Sequence, residues 1–212
     1  MTENIQVLTH SSIKITGGAT IYVDHFHVVE EARDADIILV THDHFDHFSP
    51  EDIAKVTKNQ TVLVVPKKME KKAAEIPCGE LVTVEPGERR QLGNIVIETV
   101  PAYNVMKPFH PKGHGWVGYI VETDGVRIYV AGDTDITKEN KEVSCDVAMV
   151  PIGGTYTMDA KKAAELVNII HPKVAIPTHY GSVAGTKEDE EVFRADVDPS
   201  ISVEVKMQRY GE

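Results

Sequence analysis

Between Leu39 and Asp52 the chain reads LVTHDHFDHFSPED, and the six positions from His42 to His47 hold three histidines and two aspartates. Imidazole nitrogen and carboxylate oxygen are the ligands that divalent transition metals take from proteins. His42 and His44 stand two apart just past an apolar run, so in an extended or turning segment both can point to one side and share one ion. Asp46 and His47 lie where the chain turns into the next element and can reach a second ion beside the first. One segment cannot complete two coordination spheres, because a catalytic ion takes about three protein ligands and keeps a position open. The missing ligands must come from the ends of other strands.

VAGDTD offers Asp133 at such an end. Gly132 lets the backbone come close to the site, and a carboxylate has two oxygens with which to bridge two ions. Asp133 is therefore expected to be the bridge, with Asp135 in a helix-capping or supporting role. IPTHYG places His179 just beyond another apolar run, where it can complete the ion held by Asp46 and His47. Gly153-Gly154-Thr155-Tyr156 and Tyr180 are candidates for lining the pocket. His10, His25 and His27 read as packing or surface residues, and His171 as a residue at the carboxyl end of a helix.

The elements that must position these groups follow from the same pattern. IQVLTH, SIKITGG and ATIYVDHF read as strands, and ADIILV as a strand buried on both faces. SPEDIAKVTK carries a helix start, with Ser49 as cap and Pro50 in the first turn. TVLVV is a strand and KKMEKKAAE a short helix. LVTVEPGERRQLG, NIVIETVPAYN, WVGYIVE and VRIYVAGD return to strands, the last two joined by an Asp124-Gly125 hairpin turn. DVAMVPIGG and KVAIPTHYG are strands, MDAKKAAELVNIIH and TKEDEEVFRAD helices, and SVEVKMQ a closing strand. This order predicts two packed sheets with helices outside, an α+β arrangement, in one domain over 1–212.

Composition narrows the partners. The 212 residues carry 22 Lys plus Arg against 33 Asp plus Glu, a formal net charge of -11. Such a chain has no general attraction for nucleic acid or anionic membrane, although bound cations would still admit an anionic substrate. Two cysteines, no apolar run near the roughly 20 residues of a membrane span and no basic-then-apolar start predict a soluble cytoplasmic protein. Nothing in the sequence sets an oligomeric state.

The string THDHFDH resembles the T-H-x-H-x-D-H signature of the metallo-β-lactamase superfamily, and AGDTD and PTHYG resemble its later metal motifs, in the same order. VPIGGTYTMDAKKAAELV and HPKVAIPTHYG are similar to the branch of metal-dependent hydrolases that includes the L-ascorbate-6-phosphate lactonases. The resemblance implies a four-layer αββα sandwich with metals at one edge. It implies that Asp24 braces the histidine loop without binding metal. It also implies a third histidine for the first ion from the segment before the GD hairpin. Asn104 stands near the usual place of that histidine, which leaves His110 as the first candidate and His114 as the second. Whichever is not a ligand is a candidate to contact substrate or donate a proton.

The expected cofactors are two divalent ions, zinc first and manganese second. Two such ions can ionise a shared water near neutral pH, and the resulting metal-bridged hydroxide attacks a carbonyl or phosphorus while Asp46 orients it or relays a proton. The expected function is hydrolysis of a small, anionic metabolite: a lactone, ester or phosphoester. Lys107, Lys112 and Arg127 flank the site-bearing segments and are candidates for holding the anion. The alternatives are an RNA or cyclic-nucleotide phosphodiesterase and a metal-binding protein without activity.

Overall fold

The β-branched segments form fourteen strands among residues 1–210, the part of the chain that the computed structural model describes. β1 (Ile5–Thr9), β2 (Ser12–Ile15), β3 (Ile21–Val23), β4 (Ala35–Leu39), β5 (Thr57–Pro66) and β6 (Glu80–Val84) lie in one sheet. β7 (Arg89–Leu92), β8 (Ile95–Pro101), β9 (Val117–Thr123), β10 (Val126–Val130), β11 (Val147–Pro151), β12 (Val174–Thr178) and β13 (Ser202–Val203) lie in the other. β14 (Met207–Arg209) returns to the first, so the orders are β14-β1-β2-β3-β4-β5-β6 and β13-β12-β11-β10-β9-β8-β7. In each sheet the hairpin-linked strands pair antiparallel and the strands linked by crossovers pair parallel.

Strand β4 shows why the sheets stack. Its alternate residues Ile37 and Leu39 join the core between the sheets. Ile38 and the following Val40 join a second core with Leu63, Val65, Ile53 and Val56. That outer core is closed by helix α1 (Pro50–Val56) and the short α2 (Glu70–Ala73). The start of α1 is the expected one: Ser49 Oγ accepts from Asp52 N at 3.3 Å and Pro50 opens the first turn. α2 is shorter than KKMEKKAAE suggested, and its first residues form a 3-10 turn, Lys67–Met69. Lys67 and Lys71, and Lys68 and Lys72, would repel at helical spacing.

Helix α3 (Ala160–Ile170) packs on β11 and on α4 (Asp189–Asp196), which cover the outside of the second sheet. Its buried face is Ala160, Ala163, Ala164, Leu166 and Val167, small enough at three positions for a close approach. The four layers are thus helix, sheet, sheet, helix. The segment SVEVKMQ departs from expectation. It is two strands, not one: Val203 pairs with Ala175 in the second sheet, and Met207 pairs with Val7 in the first. A segment that joins the edges of two stacked sheets has to break its ladder to cross between them, and the break falls at 204–206.

His25 carries a stability cost inside this core. It is buried with neither ring nitrogen hydrogen-bonded, edge-on to Tyr22 at 4.7 Å between centroids. Burial holds its pKa down at about 4. A histidine whose folded pKa lies below its unfolded value of about 6.5 gives full stability above that value and loses it as pH falls towards the folded pKa. His25→Leu should therefore gain about 2 to 3 kcal/mol on the wild type between pH 7.5 and pH 4.5. Urea unfolding of both metal-stripped proteins at the two pH values measures this, since the titrations they share cancel. Parallel profiles would contradict it.

Candidate metal centre

The ends of β1, β3, β4, β8, β10 and β12 meet at one edge of the sandwich, and three bonds between the sheets hold them there. Tyr119 Oη donates to the Val40 carbonyl at 2.8 Å, Val117 N to Thr41 O at 3.2 Å, and His179 N to His10 O at 2.9 Å. Gly132, with φ at 65°, passes so close to Thr41 that a Cβ would lie 3.1 Å from the threonine Cβ. The edge also gathers strained backbone. Asp24, His10, His110 and His179 all have φ between 50° and 56°, a left-handed region that costs non-glycine residues on the order of 1 kcal/mol each. Such outliers cluster where a site requires them.

Two groups of side chains converge there: His42, His44, His110 and Asp133, and His10, Asp46, His47 and His179. In the first, His42 Nε2 lies 3.2 Å from His44 Nδ1 and 3.3 Å from His110 Nε2, and His110 Nε2 lies 3.1 Å from Asp133 Oδ2. In the second, His47 Nε2 and His179 Nε2 each lie 3.6 Å from Asp46 Oδ2. Asp133 joins the two groups: its Oδ1 is 3.2 Å from His47 Nε2 and its Oδ2 is 3.2 Å from His179 Nε2. Tetrahedral coordination at about 2.0–2.1 Å sets donors about 3.3 Å apart, which is the spacing found here. His47 Nε2, His179 Nε2 and Asp133 Oδ1 are buried and make no hydrogen bond.

The hydrogen bonds behind the site aim its lone pairs. Asp24 accepts from Thr41 N at 2.8 Å and Thr41 Oγ1 at 2.7 Å, and from His47 Nδ1 at 2.8 Å. Because Thr41 spends its proton on Asp24, its oxygen accepts from His42 Nδ1 at 2.9 Å. His42 and His47 therefore turn their Nε2 atoms inward, His42 with a free lone pair and His47 with one that a cation would take in place of a proton. The electrostatics agree. Burial, and then His47 beside it, holds His42 well below its usual pKa. Burial opposes charge on His179 and His47, yet Asp133 outweighs it, raising His179 to about 9 and His47 well above the ordinary value. Burial also opposes charge on Asp133 and Asp46, yet the imidazoles hold both well below the carboxylate range. A buried pocket of this kind is short of positive charge that only protons or cations can supply.

The structure brings His42, His44, Asp46, His47, His110, Asp133 and His179 together, and Asp24 behind them. It does not bring in His114, which is exposed on a 3-10 turn with its ring edge against Trp116, 4.4 Å between centroids. Asn104 is buried beside His110 instead, its Nδ2 3.3 Å from His110 Nδ1 and donating to Tyr156 O at 2.7 Å. Asp135 caps no helix. It accepts from Val105 N at 3.0 Å and Lys107 Nζ at 2.7 Å, and so holds the loop that carries His110. Tyr180 turns away from the site and donates to Glu190 at 2.7 Å. Lys107, Lys112 and Arg127 are committed to Asp135, Glu139 and the pair Glu98 and Glu122.

His10 is the site residue that the sequence reading missed. It is fully buried, 3.2 Å from Asp46 Oδ2 through Nε2 and 3.0 Å from Ser182 Oγ through Nδ1. The available signal was its place at a strand end, the feature that had pointed to His179. Both cysteines are free, and burial raises their thiols, Cys145 to about 12, so neither is a ready nucleophile. No helix among the described residues is long and apolar enough to cross a membrane.

A family model for the beta-lactamase superfamily domain matches residues 4–179. The chain belongs to the metallo-β-lactamase superfamily. Within it the chain is 31% identical to a UPF0173 metal-dependent hydrolase of Methanoregula boonei, over 97% of this chain and 94% of that protein. A solved structure from Parabacteroides distasonis, described as a metal-dependent hydrolase, is 31% identical with a TM-score of 0.80, covering 96% of this chain and 93% of that one. The likeness to a metallo hydrolase of Ignicoccus hospitalis, 21% identical with a TM-score of 0.75 over 98% of this chain and 95% of that one, shows the shared fold. In metallo-β-lactamase terms, the edge where strand ends of both sheets meet is the place where these donors converge.

Proposed function

We propose that this chain is a hydrolase of a small-molecule ester or lactone that holds two divalent cations, one in each group of donors. His42, His44 and His110 would hold the first, Asp46, His47 and His179 the second, with Asp133 between them. The observation that carries this reading is a set of imidazole and carboxylate atoms about one tetrahedral edge apart, among which the buried His47 Nε2, His179 Nε2 and Asp133 Oδ1 make no hydrogen bond. Imidazole-rich, near-tetrahedral donors suit zinc first and manganese second. Cations bound there supply Lewis acidity and a water acidic enough to ionise near neutral pH.

The chain's own groups do the rest. Asp46 Oδ2, 3.6 Å from both His47 and His179, would orient the attacking water. His10 steadies that oxygen from 3.2 Å. The narrower likeness to the ascorbate-phosphate lactonases rests on the quoted motifs. The ion-paired state of Lys107, Lys112 and Arg127 weakens the case for an anionic substrate held by those residues.

The test is a panel of esters, lactones and phosphodiesters offered to protein loaded with zinc or manganese. Ester or lactone turnover is expected, with a loss of at least about 100-fold in His42→Ala, of the order seen when a group stabilising the transition state is removed. Turnover of phosphodiesters alone, of nothing in the panel, or at full rate in His42→Ala would overturn the reading.

A further inference from the structure

Phe45 sits between His44 and Asp46, two of the converging donors, yet 67% of its surface is exposed. The same exposure recurs on the loops that carry His110 and His179. Phe109, beside His110, is 41% exposed, and Val183, four residues past His179, is 37% exposed. Of these, Phe45 and Val183 gather on one concave surface, and clustered exposed apolar groups mark a contact surface.

The Phe45 side of the edge opens into a groove of about 1200 Å³ whose apolar lining includes Phe26, Phe45, Phe48 and Val183. The groove borders the site through the side chains of Phe26, Phe45 and Ser182. The Phe26 ring lies 5.8 Å from Phe45 and 6.3 Å from His10, centroid to centroid. Ser182, also on the groove wall, is bonded to His10, which reaches Asp46. The charged residues lining it cancel: Glu51 and Asp52 against Lys55 and Arg209. Lys55 is tied to Asp52 at 2.7 Å, and Arg209 Nη2 is engaged by the His27 carbonyl at 2.6 Å. A neutral, aromatic-floored groove beside the donors is complementary to an alkyl or aryl group and offers little to a phosphate.

We propose that the groove holds the apolar part of an uncharged ester or lactone, so that the substrate class is a lipophilic acyl compound. This rests on the hydrolase reading above. The acyl carbon would face the donors while the chain lies across Phe45 and Val183. Hydrolysis of such a compound adds water across the acyl C–O bond, giving a carboxylic acid and an alcohol, and needs no other reactant.

Two measurements test it separately. The first is kcat/KM for 4-nitrophenyl acetate, butyrate and hexanoate, with 4-nitrophenyl phosphate alongside, on zinc-loaded protein. The hexanoate-to-acetate ratio should be at least about 10, since each buried methylene favours binding several-fold, and should fall to about 1 in Phe45→Ser and in Val183→Ser. The second needs no turnover: the uncharged dye N-phenyl-1-naphthylamine should brighten on the wild type and at least 10-fold less on either variant. No ester hydrolysis with dye binding intact removes the hydrolase reading and with it the acyl substrate, while leaving the apolar groove. Ester hydrolysis with a flat chain-length series, a preference for the phosphate, or dye binding unchanged in both variants overturns the groove assignment and leaves the hydrolase reading standing.

Discussion

Asp133→Asn is expected to weaken both cation sites by at least about 100-fold, roughly 2.7 kcal/mol each. The Asp133 carboxylate lies between the two groups of donors. Its Oδ2 lies 3.1 Å from His110 and 3.2 Å from His179, and its Oδ1 3.2 Å from His47. Asparagine keeps the shape, removes a charge and replaces one oxygen with a donor aimed at the nitrogens that must stay unprotonated. The buried imidazoles would then face one another with less negative charge between them, which disfavours any cation. Competition with a chelating dye on the wild type and variant measures the change. Affinities within about threefold at either site would show that Asp133 does not join them.

Asp24→Ala is the second large effect, and it acts without touching a cation. Asp24 accepts three bonds, from Thr41 N, Thr41 Oγ1 and His47 Nδ1, all buried. Removing it strands those donors, at about 1–3 kcal/mol for each that finds no new partner. It also frees the rings of His42 and His47 to turn. The metal-free variant should unfold at lower urea, by several kcal/mol, and zinc affinity should fall about 10- to 100-fold, the range for a lost partner behind a metal-binding histidine. Lower stability with unchanged zinc affinity would make Asp24 a support of the loop alone.

Much of this site could be read before the fold was known, because its chemistry is dense in the sequence. Three histidines and two aspartates in six positions have few other uses, and Asp133 and His179 stand where buried apolar runs end. The αββα layering was legible from the same runs, as in β4, whose residues are buried on both faces. What stayed hidden depends on contacts distant in sequence. His10 became a site residue only through Asp46 and through Ser182, 172 positions away. The two halves of SVEVKMQ alternate like a single strand, and only the stacking of the sheets assigns them to different edges. His114 had a plausible spacing before Asp133, but the turn after His110 carries it to the surface.

Equilibrium metal analysis tests the central claim most directly. Protein exchanged into excess zinc and then freed of unbound ion should retain two equivalents per chain, and about 5.1 Å between ring centroids puts Trp116 close enough to His42 to report the first of them by its fluorescence. Two tightly held ions, lost together in Asp133→Asn, are the predicted result. No retained ion, or two retained ions that survive that substitution, would contradict the account.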